Sequence, residues 1–394
     1  MISQFVDSVR KANRLIIGGM FFFDSPGHML SETDLLLREI RRNPALKARA
    51  PLVILPPTPM ATMIAELLRA NGVQAVLEPH AIVLLREIQL FYPGLVHDIG
   101  QAHWKLVLPD QTPRKIGDLY PISFGWALRR EEFVGQLIRM HESWNATRGQ
   151  LPLRDGLKSL VIDPAFFDFL GDRKYAVLQI KAQIGNGTAS LLAGELYRPT
   201  LEFLRDAGYT LVLGGREPML DEFKRFGVIN YAQSKFANPR NDFFLFARAA
   251  LGLVSPSGAG LFCDTLGIPC CQIGSWTLIP HPSEKTLMVP SRVRPHGAGE
   301  WQTFRQQVAS FRAMYDDVVG PAAFDAKRCQ DLPPTAEEIC AGVRELLTAD
   351  GAPDKSQIRA HSATVRSLDP AGVWSVAASR LSSSFLNSHP EYLN

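Results

Sequence analysis

The chain has 394 residues, 46% of them hydrophobic and 21% charged, with 30 Gly and 28 Pro. At roughly 100–200 residues per domain this is material for two domains with sizeable cores, and the apolar fraction excludes a disordered chain. Lys and Arg exceed Asp and Glu by three (42 − 39) and the charges are dispersed, which excludes a strongly basic nucleic-acid binder.

The same composition bears on location. No stretch approaches the ~20 apolar residues of a membrane span. The start of the chain carries Asp7, Arg10, Lys11 and Arg14 where an export signal would have an apolar core, so a cytoplasmic protein is expected. Five cysteines, Cys263, Cys270, Cys271, Cys329 and Cys340, include no CxxC pair. They read as reduced thiols that serve mainly as small core residues.

In chain order, short β-branched runs alternate with longer amphipathic ones. Strands are expected at residues 14–23, 51–57, 73–79 and 104–109, with helices at 29–42, 58–71 and 81–91 between them. Gly, Pro or Asp marks the end of each strand run, and the alternation argues for a parallel sheet covered by helices. A longer helix is expected at 128–148, followed by an inter-domain linker within 149–172. A second series then begins: strands at 175–181, 209–215, 228–231, 251–254 and 270–273, and helices at 188–207 and 241–250. Helices at 300–319, 335–348 and 371–386 would close the chain. The expected organisation is α/β: a first Rossmann-like domain over residues 1–165, a second over 166–350, and a helical tail over 351–394.

The most informative segment is residues 253–274, LVSPSGAGLFCDTLGIPCCQIG. A strand ends at Val254, the small residues Ser255, Ser257, Gly258, Ala259 and Gly260 make a tight loop around Pro256, and a short helix runs to Gly267. Backbone N–H groups and the dipole at such a helix start suit a diphosphate, and glycine lets a ligand approach the backbone closely. An ordinary strand-to-helix turn has the same residues.

Strand, Ser-Gly loop, short helix, Leu-Gly-x-Pro and strand together resemble the donor-binding segment of GT-B glycosyltransferases, including heptosyltransferases. Over most of its length the chain resembles a family of bacterial glycosyltransferases associated with surface-carbohydrate genes. The residues that carry this likeness are Gly27-His28, Ser257-Gly258, Gly267-Ile268-Pro269 and Ser384-Phe385-Leu386. The resemblance implies two Rossmann-like domains facing a cleft, a nucleotide-sugar donor in the second, an acceptor in the first, and a final helix packing back on the first domain. It implies no metal or other cofactor. The chain also departs from heptosyltransferases: Pro256 and Leu261 stand where those enzymes carry an acidic residue and a His, and Phe262 falls near the Glu that holds the donor ribose in other GT-B enzymes. Asp264 could replace that Glu only if the helix is turned differently.

A second segment, residues 181–190, KAQIGNGTAS, joins a strand to a helix. Gly185, Gly187 and Ser190 approach the dinucleotide fingerprint, with Ser in place of the third Gly, and Arg216 stands 26 residues beyond Ser190 (216 − 190) against the ~20 usual for the ribose partner. An NADP-dependent oxidoreductase is therefore one rival reading. In the glycosyltransferase reading this is the first loop of the donor domain. Lys181 would face the diphosphate, as a basic residue does in enzymes of the fucosyltransferase type, or else be a solvent-facing strand end. Gly214, Gly215 and Arg216 end the next strand, where ligands of open α/β sheets bind; Arg216 is a phosphate or base contact, or a surface charge.

The third segment is Asp24 to His28, then Glu32. An inverting transfer needs a carboxylate or imidazole to take the acceptor hydroxyl proton, and Asp24, His28 and Glu32 are the candidates. If Met29 opens the helix, Glu32 lies in its first turn, which the dipole alone would also explain. His281 and His296 lie in Pro/Gly-rich loops that could line the cleft. HExxH, GxSxG and GxxxxGK[ST] are all absent, which argues against a zinc protease, an α/β-hydrolase and a P-loop NTPase. The expected protein is a metal-independent glycosyltransferase moving a sugar from a nucleotide-sugar to a bacterial glycan or lipid-linked glycan, with no nucleic-acid partner and with peripheral membrane contact if the acceptor is a lipid. The other rival is a non-catalytic sugar-nucleotide-binding protein.

Overall fold

A computed structural model describes residues 2–12, 14, 16–18, 26–81, 84, 96–98, 105–107, 113–115, 130–181, 194–276, 278–313, 329–347 and 354–394. Two compact units divide the chain, Met1–Ile162 and Asp163–Asn394. Each is built on a parallel sheet, the α/β class expected from the alternation of strand and helix runs.

In the first unit, strands β1 (Ile16–Gly18), β2 (Leu52–Leu55), β3 (Gln74–Leu77) and β4 (Val96–Asp98) are ordered β3-β2-β1-β4, all pairs parallel. All four residues of β2 are buried, as a central strand covered on both faces requires. The helix Pro59–Ala70 returns the chain from β2 to β3. Thr58 caps it by accepting the Ala61 N–H, Pro59 opens it, and Met60, Met63, Ile64, Leu67 and Leu68 bury one stripe.

The helix Pro26–Arg42 packs against Arg130–Ala146 through one buried cation. Arg38, 1% exposed, pairs with Asp34 at 2.5 Å and donates to Thr147 Oγ1 (2.7 Å) and the Gln150 carbonyl (2.9 Å). Its guanidinium lies 3.7 Å from the Trp144 ring centre. With its donors engaged, its burial is tolerated.

One sequence expectation fails here. The run at 104–109 does not join the parallel sheet: β5 (Lys105–Val107) pairs antiparallel with β6 (Pro113–Lys115), and the fourth strand is instead β4. The boundary between the two units, after Ile162, falls within the expected linker at 149–172, and that segment also contains the helices Pro152–Gly156 and Pro164–Leu170. Pro opens both, and Asp163 caps the second by accepting the Ala165 N–H, so residues that look like loop punctuation are helix starts.

The second unit carries β7 (Tyr175–Gln179), β8 (Thr210–Leu213), β9 (Ile229–Asn230), β10 (Leu251–Val254), β11 (Cys270–Ser275) and β12 (Thr286–Pro290). An antiparallel pair, β13 (Arg292–Pro295) and β14 (Cys329–Leu332), lies apart from them, and β15 (Arg380–Leu381) comes late in the chain. The seven-stranded parallel sheet runs β15-β12-β11-β10-β7-β8-β9. From β7 the chain winds outward through β8 to β9, then crosses back to place β10 on the other side of β7. The first sheet does the same about β1, with β2 and β3 on one side and β4 on the other. Each sheet thus has a topological switch point, between β7 and β10 and between β1 and β4.

The end of the chain is part of the second unit. The single amphipathic helix expected at 371–386 is broken into Val373–Val376, β15 and Ser383–Ser388. Its residues close the core there: Phe304, Trp374, Phe385 and Tyr392 form an edge-on aromatic cluster with centroids 5.4–6.2 Å apart, all 2% exposed or less. Buried Glu345, on the helix Ala336–Leu347, accepts from the N–H groups of Ser383 (3.2 Å) and Ser384 (3.0 Å), from Ser382 Oγ (2.9 Å) and from Arg380. The cysteines are free, and all but Cys329 are buried. Burial pushes the Cys271 thiol up to about 12, and a hydrogen bond with Cys263, with burial, raises Cys270 well above its ordinary value. These are inert core thiols.

Candidate functional site

In open α/β sheets, ligands bind beyond the carboxyl ends of the strands at the switch point. In the second unit that place is formed by the ends of β7, β10 and β8, which carry Lys181, the 255–260 loop and residues 214–216. One residue gathers them. Gln179, the last residue of β7 and 7% exposed, accepts the Ser257 hydroxyl on Oε1 at 2.7 Å, and its carbonyl accepts the Ser255 N–H at 2.9 Å. Its side chain also lies against Gly215: a Cβ there would come within 3.0 Å of Gln179 Cγ, and Gly215 has φ +85°. Only glycine satisfies both conditions.

The loop after β10 is locked by the same contacts. Ser255, fully buried, accepts the Lys181 N–H on Oγ at 2.9 Å. Ser257 caps the nine-residue helix Gly258–Leu266, its Oγ accepting the Ala259 N–H at 3.2 Å. The Ser257 carbonyl accepts the Gly260 N–H at 3.2 Å. Gly260 is where the loop meets its surroundings most closely. A Cβ there would lie 2.8 Å from His281 Cε1 and 3.4 Å from Gln272 Nε2.

Two cations stand at the strand ends. Lys181 is half-buried and Arg216 exposed, and neither side chain is in an ion pair or hydrogen bond with any described residue. Arg216 is near enough to Asp242 to act on it. Burial raises the Asp242 carboxyl to about 6, while the Tyr231 hydroxyl donated at 2.7 Å and the Arg216 charge pull it back. Lys181, Gly214, Gly215, Arg216, Ser255, Ser257, Gly258, Ala259 and Gly260 therefore lie at the ends of three adjacent strands. Lys181, Gly215, Ser255 and Ser257 are tied directly to one another or to Gln179.

Asp264 has another task. It is 1% exposed, accepting from His281 Nδ1 at 2.6 Å and from Thr286 Oγ1 at 2.7 Å. Both carboxylate oxygens are committed inside the unit, so it does not stand in for a ribose-holding Glu. Phe262 is likewise buried, 5.1 Å from the Phe246 ring centre.

In the first unit the helix that bears His28 and Glu32 is the element that follows β1. Asp24 lies outside the described residues, as do Gly185, Gly187 and Ser190 of the dinucleotide-like spacing. The helix opens at Pro26 rather than Met29, so His28 is its third residue and Glu32 its seventh, with no acidic residue in the first turn. A dipole at the helix start therefore does not explain Glu32, which is fully buried. Register adds a residue the sequence reading missed: Asp98 ends β4 opposite Gly18, the last residue of β1. Its only sequence signal is a carboxylate closing a short apolar run. Gln179 was missed for a similar reason, being one amide at the end of the strand YAVLQ.

Among the described residues no group of three or more His, Cys, Asp or Glu side chains is placed to hold a metal ion, and no helix is long and apolar enough to cross a membrane.

No protein-family model matches the chain, and none of the curated proteins does. Among solved structures the chain is similar to E. coli heptosyltransferase WaaC with ADP-2-deoxy-2-fluoro heptose, at 14% identity and TM-score 0.40, over 70% of this chain and 91% of that one. It is similar to E. coli ADP-heptose LPS heptosyltransferase II at 15% identity and TM-score 0.38, over 77% and 96% of the two chains. The UDP-GlcNAc 2-epimerase from Neisseria meningitidis bound to UDP-GlcNAc aligns at 12% identity and TM-score 0.36, over 78% and 95%.

Proposed function

We propose that the protein is a glycosyltransferase of GT-B type that takes a sugar from a nucleotide-sugar held by the second unit and passes it to a bacterial glycan or lipid-linked glycan. The observation that carries this reading is the switch point of the second sheet. There a Ser257-capped helix start is tied through Ser255 to the strand end bearing Lys181. A nucleoside diphosphate leaving group develops negative charge as the glycosidic bond breaks. Helix-end N–H groups add partial positive charge and a cationic side chain adds a full one, which is the stabilisation such a departure needs. Lys181 and Arg216 are the cations to supply it, acting on the diphosphate without any resident cofactor.

The acceptor would bind to the first unit beyond β1. Asp24, His28 and Glu32 remain the candidates for the base that takes the acceptor proton, with Asp98 added by its register beside β1. The experiment is a thermal-shift panel of UDP-, GDP-, CMP-, dTDP- and ADP-linked sugars beside NAD(H) and NADP(H). A ligand selective for the native state raises the midpoint by mass action. One nucleotide-sugar family is expected to raise it, and Gly258→Asp, which sets a carboxylate at the helix start, to abolish the rise. A shift with NADPH alone would replace this reading with the oxidoreductase.

A further inference from the structure

His281 is the most heavily built side chain around the donor loop that the proposed function does not use. It is 7% exposed. Its Nδ1 is bound to Asp264 at 2.6 Å, and Asp264 is held on its other oxygen by Thr286. Its backbone is fixed on both sides by Ser379, whose Oγ accepts the His281 N–H at 2.7 Å and whose N–H donates to the His281 carbonyl at 3.2 Å. The loop leading to it is fixed as well. Leu278 is held at φ +50°, in the left-handed region that a branched side chain avoids, and Trp374 Nε1 donates to its carbonyl at 3.1 Å. A strained backbone and five hydrogen bonds thus hold one imidazole in place.

The ring is held against the donor helix. A Cβ on Gly260 would lie 2.8 Å from His281 Cε1 and 3.6 Å from Nε2, so the ring edge carrying Nε2 abuts the third residue of the helix. With Nδ1–H committed to Asp264, Nε2 alone is left for a ligand, and it makes no hydrogen bond to any described residue. A ring donating from both nitrogens would lie between two anions, the Asp264 carboxylate behind Nδ1 and a diphosphate before Nε2, and their attraction is set against the unfavourable dipole of the helix start.

We propose that His281, oriented by Asp264, donates from Nε2 to the diphosphate of the donor nucleotide and so adds to the charge stabilisation that Lys181 and the helix start provide. This rests on the nucleotide-sugar reading of the same site. The Gly at position 260 then has a reason beyond loop geometry, because any side chain there would push the ring away from the helix.

The test is calorimetric titration of the full chain, wild type and His281→Gln, with UDP, ADP, GDP, CDP and dTDP and with the matching monophosphates. For the diphosphate that wild type binds best, His281→Gln is expected to weaken binding by about tenfold or more, the value of a charge-assisted hydrogen bond. The matching monophosphate should lose far less. Gly260→Ala displaces the ring without removing it and is expected to reproduce that selective loss. Equal losses for di- and monophosphate, or none in either variant, would overturn the role of His281 and leave the donor site standing. Failure of wild type to bind any of the five diphosphates would overturn the donor reading and this inference with it.

Discussion

Asp242 links the packing of the second unit to the cation at its strand end. Its carboxyl is lifted from 3.8 to about 6, chiefly by burial, with the Tyr231 hydrogen bond and the Arg216 charge opposing the lift. Between those two values the folded chain holds a proton that the unfolded chain has released. This group's contribution to stability is therefore full below about pH 4 and lost as pH rises through about 6, on the order of 3 kcal/mol in all. Asp242→Asn keeps an oxygen to accept the Tyr231 hydroxyl and removes the titration. Denaturant unfolding from pH 4 to pH 7 should show the variant gaining on the wild type by that order across the interval. A constant difference between the two would place the proton elsewhere.

At the scale of elements, the most consequential contact is the one that builds the end of the chain into the second unit. Glu345 caps the helix Ser383–Ser388 from outside, through the Ser383 and Ser384 N–H groups, and neutralises Arg380 at the same time. Burial lowers the Arg380 guanidinium from its usual range. Glu345→Ala would leave that cation and two helix-end donors without their acceptor, a change that costs about 3–5 kcal/mol. The expected result is a loss of that size in urea unfolding. A loss under about 1 kcal/mol, the scale of a surface pair, would show that the tail is held by its aromatic cluster alone.

That contact also shows where a sequence is readable and where it is not. Periodicity locates long elements well: the run at 58–71 is the helix Pro59–Ala70, and 251–254 is β10 to the residue. The helix satisfies its own hydrogen bonds and buries one stripe, and the strand is a short apolar run, buried throughout and bounded by turn residues, so local pattern is enough. Residues 371–386 have the apolar spacing of a helix, yet a long-range acceptor at Glu345 and an open edge at β12 divide them. β15 is two residues long and carries no pattern of its own. The loop after β10 and the helix start that follows it were legible because Ser, Gly and Pro at fixed spacing have local geometric consequences. Gln179 and the Asp264–His281 pair were not, because their roles depend on residues 78 and 17 positions away.

For the whole molecule, the two sheets share one construction. Each winds outward from a central strand and crosses back, and in the second unit the switch point carries a loop of small and polar residues. In the second unit that loop is organised by Gln179, backed by His281 and flanked by two cations. The donor proposal is therefore a claim about place: nucleotide binding belongs at the ends of β7, β8 and β10.

Hydrogen–deuterium exchange of the full chain, with and without the nucleoside diphosphate that stabilises it most, tests that claim most directly. Added protection is expected in peptides covering residues 175–181, 210–216 and 251–266, with a further patch at 278–286 from His281. Protection confined to Met1–Ile162, or absent from the segment bearing Ser255 to Gly260, would contradict it.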